Sequence, residues 1–264
     1  MSKNLKSLSY KLRRDVLEMI YQAKAGHIGG DFSVMEILVS LYMKEMNISP
    51  EIKDDPNRDY FIMSKGHSVE ACYSVLAEKG FFDIEDVIAN FSKFGSEYIG
   101  HPNNKLPGIE MNSGSLGHGL PVGVGIAKGC KMDQRTNRVY VVMGDGELAE
   151  GSVWEGVMAA SQYKLDNLCG VVDRNRLQIS GSPEDVMHHD DLAARFSAFG
   201  WHTISVEGND VESLLRAFKE ARKIKEKPTV IIANTRKGCG VSFMENKADW
   251  HHKVPNEDQY KEAI

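Results

Sequence analysis

Cysteine is scarce: four residues in 264, at positions 72, 130, 169 and 239. They form neither a CxxC pair nor a zinc-ligand cluster, which argues against a disulfide framework and a structural zinc centre. Four free thiols in a reducing compartment are expected. Long hydrophobic runs are missing too. No stretch approaches the length of a membrane span without a charge, so none is expected. The opening MSKNLKSLSYKLRRDVLEMI lacks the apolar core of a secretory signal and reads as the first amphipathic helix of a cytoplasmic protein. Nor is there an excess of basic charge. Thirty-two Lys plus Arg stand against 37 Asp plus Glu, a formal charge of -5. This excludes a general nucleic-acid-binding face, though not a local basic patch.

What is present is an ordinary globular balance, 42% hydrophobic and 26% charged, over a length that one large core can serve. Apolar residues at helical spacing predict helices over 5–24 and 33–46, the second preceded by the pair Gly29–Gly30. A polar, turn-rich loop, NISPEIKDDPNRD, leads to a short strand at 60–64, then KGHS and a helix over 69–79. The glycine-rich run at 111–129 has apolar spacers, which favours a tightly packed helix over 116–132 entered from a glycine turn. Beyond it, strands at 138–143, 167–172, 202–207 and 229–235 alternate with helices at 151–163, 192–200 and 211–225. Val- and Ile-rich strands separated by helices predict one α/β domain over 1–264, a parallel sheet with helices on both faces. The helical region at about 1–60 is expected to pack on it.

Ligands of such sheets bind beyond the carboxyl ends of the strands. There the sequence reads GDGELAEG, with Gly144, Asp145, Gly146, Glu147 and Glu150. The next strand ends in Asp173, Arg174, Asn175 and Arg176. A carboxylate at Asp145 and an amide oxygen at Asn175, thirty positions apart, suit a hard cation completed by phosphate oxygens and water. Read alone, the same residues make a turn, a helix cap and a second polar turn. Trp154 and Met158, at helical spacing after the turn, are expected to pack. His118 is expected to bond only locally, and His188 and His189 are expected to be bystanders.

The stretch from GDG at 144 to the asparagine at 175 resembles the thiamine-diphosphate motif. The resemblance implies that Asp145 and Asn175 ligate a divalent ion, with the Leu177 carbonyl as a third protein ligand. Mg²⁺ is implied, with Ca²⁺ or Mn²⁺ permitted by the same oxygen donors. From about residue 7 to 255 the chain resembles transketolase. AKAGHIGG, SKGH, IGHP and the segment around DWHHK match the histidine segments of that family and imply active-site roles for His27, His67, His101 and His251. NSGSLGHG matches the loop over the cofactor, implying contacts from Gly114, Ser115 and Leu116. Cofactor-side roles are also implied for His67, His251, Gly144, Gly146 and Glu147, and a role at the interface between subunits for Glu150. His252 departs from the pattern, standing where a glycine often follows the histidine.

The implied fold is the diphosphate-binding domain of thiamine-dependent enzymes. The implied activity is transfer of a two-carbon ketol unit from a ketose phosphate to an aldose phosphate, with thiamine diphosphate carrying the carbon chemistry. A complete transketolase is more than twice this length. The chain is therefore expected to be the N-terminal subunit of a split enzyme, inactive without a C-terminal partner that carries the pyrimidine-binding domain, as an α2β2 heterotetramer. Two other readings stand beside this one. One is a 1-deoxyxylulose-5-phosphate synthase-like or other thiamine-dependent component. The other is a non-catalytic structural partner that keeps the fold.

Overall fold

The computed structural model of the chain describes residues 2–179, 181–188 and 191–264. Its strands fall on the β-branched runs of the sequence: β1 Tyr60–Met63, β2 Val139–Gly144, β3 Leu168–Arg174, β4 His202–Glu207 and β5 Thr229–Asn234. All neighbours pair in parallel, in the order β1-β2-β3-β5-β4. Alternate side chains of each strand point to opposite faces. Tyr140, Val142, Val171 and Ile231 enter one apolar core. Val139, Val141, Met143, Val172 and Ile232 enter the other. β2 is buried along its whole length, and β3 along all but its last residue. Such strands read as continuous apolar runs because helices cover both faces.

The helices are α1 Ser2–Ala23, α2 Ile28–Ser40, α3 Val69–Lys79, α4 Ile84–Asn90, α5 Gly119–Met132, α6 Gly151–Gln162, α7 Pro183–Val186, α8 Leu192–Ala198, α9 Val211–Ala221 and α10 Glu257–Ala263. Leu12 and Val16 of α1, Ile37 and Leu38 of α2, and Leu214 and Phe218 of α9 fill the first core. Leu120 and Val124 of α5, Val153 and Val157 of α6, and Phe196 of α8 fill the second. Full burial of a side chain of this size is worth about 1.5–3 kcal/mol. The two cores therefore clamp the sheet and fix where its strands end. Among the described residues no helix is long and apolar enough to cross a membrane.

Three helices depart most from the sequence expectation: α2, α5 and α9, the last of which ends at Ala221, four residues before the expected 225. α2 begins five residues earlier than the predicted 33–46 helix and carries Gly29 and Gly30 inside it. These glycines serve packing. A Cβ on Gly29 would lie 2.6 Å from the Trp250 carbonyl oxygen, and one on Gly30 would lie 2.9 Å from Ser68 Oγ. At its other end α2 widens into a π turn, Leu41–Glu45. α5 begins at Gly119, later than expected, and presses on the sheet through Gly123, where a Cβ would lie 2.5 Å from Val141 Cγ2. Gly125 and Gly129 face open space. The short helices α4, α7 and α10 have no counterpart in the sequence reading.

Candidate active site

The register aligns the strand tips. Gly144 pairs with Asp173, and Asp173 with Ala233, so the residues after β2 and β3 leave the sheet at one level. A cleft of about 400 Å³ opens above them. Asp145 and Asn175 both line it and both are buried. Backbone donors aim them: Asp145 accepts from Gly146 N at 2.9 Å and from Arg176 N at 2.7 Å. Asn175 Oδ1 accepts from Leu177 N at 3.1 Å. Arg176, between the two, adopts a left-handed φ of 63°, an uncommon conformation for a side-chain-bearing residue. Burial, then the neighbouring Asp173 charge, pushes the Asp145 carboxyl up to about 6.

The charges beneath the cleft carry no local mark in the sequence. Lys65, just after β1, is buried and bonds Asp173 Oδ2 at 2.5 Å. Asp173 also accepts from Ser33 Oγ at 2.6 Å and from the Thr235 hydroxyl. Lys237 is buried as well, with Nζ 2.7 Å from His251 Nδ1 and 3.2 Å from the Leu177 carbonyl oxygen. Burial, then Lys65, lowers the Lys237 ammonium to about 8. In the sequence these lysines look like ordinary solvated charges; their burial follows from contacts between distant segments. Gln178 and Ile179 also line the cleft without a sequence signal.

Four distant segments bring their histidines together at the mouth. The His27 ring lies 5.7 Å from that of His67, 5.9 Å from His101 and 6.0 Å from His251, and His67 lies 5.1 Å from His251. All four line the cleft. Burial lowers the pKa of each, with further lowering at His67 from Lys65 and at His251, taken to about 3, from Lys237. They are thus neutral near pH 7, able to donate from one ring nitrogen and accept at the other. His252 packs on His27 at 4.5 Å and bonds the Gly26 carbonyl at 3.0 Å.

Of the remaining predicted residues, Gly114, Leu116, Gly144, Gly146 and Glu147 line the cleft. Gly114, at φ 140°, lies against His101, where a Cβ would approach the imidazole to 2.6 Å. Glu147 is also a brace, accepting from Gly117 N at 2.9 Å, from Gly144 N at 3.1 Å and from the Ser64 hydroxyl. Ser115 is exposed and outside the cleft lining, as is Glu150 at the start of α6. The Leu177 carbonyl oxygen is engaged by Lys237. Trp154 packs between Phe196 and Phe199, as expected of a core residue, whereas Met158 is 51% exposed. Met158 sits on the outward side of α6, so helical spacing is a poor guide to its packing. His118 bonds the Leu116 carbonyl of its own loop. His188 is exposed, and His189 lies outside the described residues.

The donor set suits a hard cation. Among the described residues no group of three or more His, Cys, Asp or Glu could hold a metal by itself. One buried carboxylate and one amide oxygen, aimed by backbone donors, are the partial set that Mg²⁺ takes when phosphate oxygens complete its shell. Lys65 and Lys237, which line the same cleft, add positive charge that would suit an anionic group held there.

A parallel sheet with this pair at its strand tips defines a diphosphate-cofactor-binding α/β domain. Residues 6–263 match the family model described as transketolase, thiamine diphosphate binding domain. The chain is 49% identical to one of the subunits of apulose-4-phosphate transketolase from Phocaeicola vulgatus, over 97% of this chain and 91% of that protein. It is 41% identical to human transketolase, over 94% of this chain and 40% of the human protein. The solved transketolase of Campylobacter jejuni superposes with a TM-score of 0.93 at 30% identity, covering 98% of this chain and 42% of that one. The chain belongs to the transketolase family, as the N-terminal, thiamine-diphosphate-binding half of a split enzyme. The reaction of such enzymes is thiamine-diphosphate-dependent two-carbon transfer.

Proposed function

We propose that this chain holds thiamine diphosphate through a divalent ion bound by Asp145, Asn175 and the Leu177 carbonyl. Mg²⁺ is the natural choice, and Ca²⁺ or Mn²⁺ fit the same donors. The observation that carries the reading is the pair of backbone-aimed oxygen ligands, from Asp145 and Asn175, at adjacent strand tips under four histidines. Bound there, thiamine diphosphate supplies the nucleophilic carbon and the electron sink for ketol transfer. Lys65 and Lys237 offset the diphosphate charge. Gly114 and Leu116 lie beside the cofactor. His27, His67, His101 and His251, neutral at working pH, bind the substrate hydroxyls and move protons at their ring nitrogens.

A C-terminal partner with a pyrimidine-binding domain completes the site in an α2β2 assembly, with Glu150 near the contact. The relative at 49% identity is named for apulose 4-phosphate, which supports a sugar phosphate as the substrate. Free, buried cysteines at 72, 130, 169 and 239 support a reducing, cytoplasmic setting. The test is calorimetry with thiamine diphosphate and Mg²⁺ on the chain joined to its partner, followed by product analysis. Tight binding, lost in Asp145→Ala, and ketol transfer between sugar phosphates are expected. Absence of binding at millimolar cofactor would favour the non-catalytic reading, and CO₂ release from pyruvate the synthase-like one.

A further inference from the structure

The His27 ring is held by packing. Among the described residues no hydrogen bond fixes it: Nδ1 is buried without a partner, and Glu70 Oε1, at 3.9 Å, is too distant to accept one. Glu70 itself, in the first turn of α3, is completely buried, which pushes its carboxyl up to about 8. The orientation of the ring therefore falls to what lies against it. His67, His101 and His251 meet it at interplanar angles of 62°, 67° and 88°, with centroids 5.7, 5.9 and 6.0 Å away. His252 is nearer, at 4.5 Å, and more nearly parallel, at 31°. Of these four only His252 is outside the cleft lining, and the chemistry above gives it no task.

His252 is pinned at both backbone and side chain. It follows a single 3-10 turn, Ala248–His251, whose buried Trp250 packs on Phe243 at 5.4 Å. The Trp250 carbonyl oxygen fits against α2 only because Gly29 has no side chain, since a Cβ there would lie 2.6 Å from it. The His252 side chain reaches back 226 positions, with Nδ1 3.0 Å from the Gly26 carbonyl oxygen. A carbonyl only accepts, so Nδ1 carries the proton and the neutral ring leaves Nε2 bare. The accepting residue is itself closely packed: Gly26 has φ 145°, and a Cβ on it would lie 2.5 Å from Ile20 Cγ1. His252 is exposed, whereas the His27 side chain is only 17% exposed, so the His252 ring stands between His27 and solvent.

We propose that His252 is a positioning residue for His27. Its Nδ1–H, bonded to the Gly26 carbonyl, holds an imidazole ring over His27, and that ring covers His27 from solvent and keeps it turned to the cleft. The glycine that the family pattern often has at this position would supply neither the donor nor the ring. A misplaced catalytic group loses rate through orientation, so the cover bears on turnover more than on substrate binding. This role rests on the reading of His27 as an active-site residue, but the cover and the tautomer can be read without cofactor or activity.

The experiment is nuclear magnetic resonance of the full chain, ¹⁵N- and ¹³C-labelled at histidine, with His27 and His252 assigned through His27→Asn and His252→Gly. The parent should show neutral His252 protonated at Nδ1. His252→Gly should shift the His27 ring signals, because a neighbouring ring is gone. It should also raise the His27 pKa toward its ordinary value of 6.5, because burial is what lowers it. Asp31, Glu70, Lys65, Lys237, His67, His101 and His251, which face His27 from the other elements, are the same in every variant. His252→Phe keeps a ring without the donor and should recover most of the shift; His252→Asn keeps a donor without the ring and should not. In the complex with the partner, His252→Gly should lower kcat several-fold with little change in KM. A parent His252 protonated at Nε2 would overturn the proposal whether or not any variant folds. So would His27 signals that His252→Gly leaves unchanged, or recovery by His252→Asn equal to that by His252→Phe. If the spectra behave as expected and no ketol transfer occurs, the functional reading fails and the cover over His27 stands.

Discussion

Replacing Lys65 with methionine removes one half of a buried ion pair that ties the β1–α3 turn to the end of β3. Lys65 and Asp173 are 1% and 0% exposed at the side chain and 2.5 Å apart. Breaking such a pair from one side costs about 3–5 kcal/mol, because the remaining charge stays buried. Asp173 would keep the hydroxyls of Ser33 and Thr235 and, at 3.4 Å, Asn175 Nδ2. Hydrogen bonds to a charged group contribute about 1.5–3 kcal/mol each. They spread the orphaned charge, so the expected loss is at the lower end, about 3 kcal/mol. Adding Asp173→Asn removes the stranded charge and should restore about 2 kcal/mol, the coupling expected of contacting residues in one network. Urea unfolding followed by circular dichroism, on the parent, both single variants and the double variant, closes the cycle. A Lys65→Met chain within about 0.5 kcal/mol of the parent would show that the pair does not hold this turn, since that is the range of an ordinary surface change.

Gly123→Ala should destabilise the chain by about 1–3 kcal/mol in the same assay, because its methyl group meets Val141. Gly125→Ala, two residues on and facing open space, should stabilise it by about 0.5–1 kcal/mol through helix propensity. Equal effects at the two sites would refute the packing of α5 on the sheet. The raised Glu70 carboxyl has a definite pH signature. The folded chain holds this proton up to about 8, whereas the unfolded chain releases it near the ordinary glutamate value of 4.5. Stability from this group is present below the lower value and lost as pH rises toward the upper one. Glu70→Gln should flatten the profile in that window by up to about 1.4 kcal/mol per pH unit, and a profile parallel to the parent's would refute it.

The sheet was legible because β2, β3 and β5 are buried on both faces and cannot avoid runs of Val and Ile. Asp145 and Asn175 were legible because a strand must end before a polar turn can follow, and both ends are marked. The start of α2 was misread because glycine in sequence suggests a turn, whereas Gly29 and Gly30 answer to Trp250 and Ser68, far along the chain. Helix α10 escaped notice because it is short and polar, held by a capping box between Asn256 and Gln259 instead of an apolar stripe. Lys65, Glu70 and Lys237 were silent for a related reason. Nothing local to a charged residue tells that the fold will enclose it.

The order of the strands has a further consequence. Among the described residues β1 and β4 each pair with a strand on one side only, and a bare strand edge is a template for chains of the same kind to add to. β1 offers little purchase, being four residues long. β4 is longer, but it carries the exposed Ser205 and Glu207, and its His202 is tied to Glu220 of α9 at 3.0 Å. Polar and charged side chains along that flank discourage the stacking of one sheet onto the next, so the newly made chain is guarded against aggregation by the composition of its outermost strand.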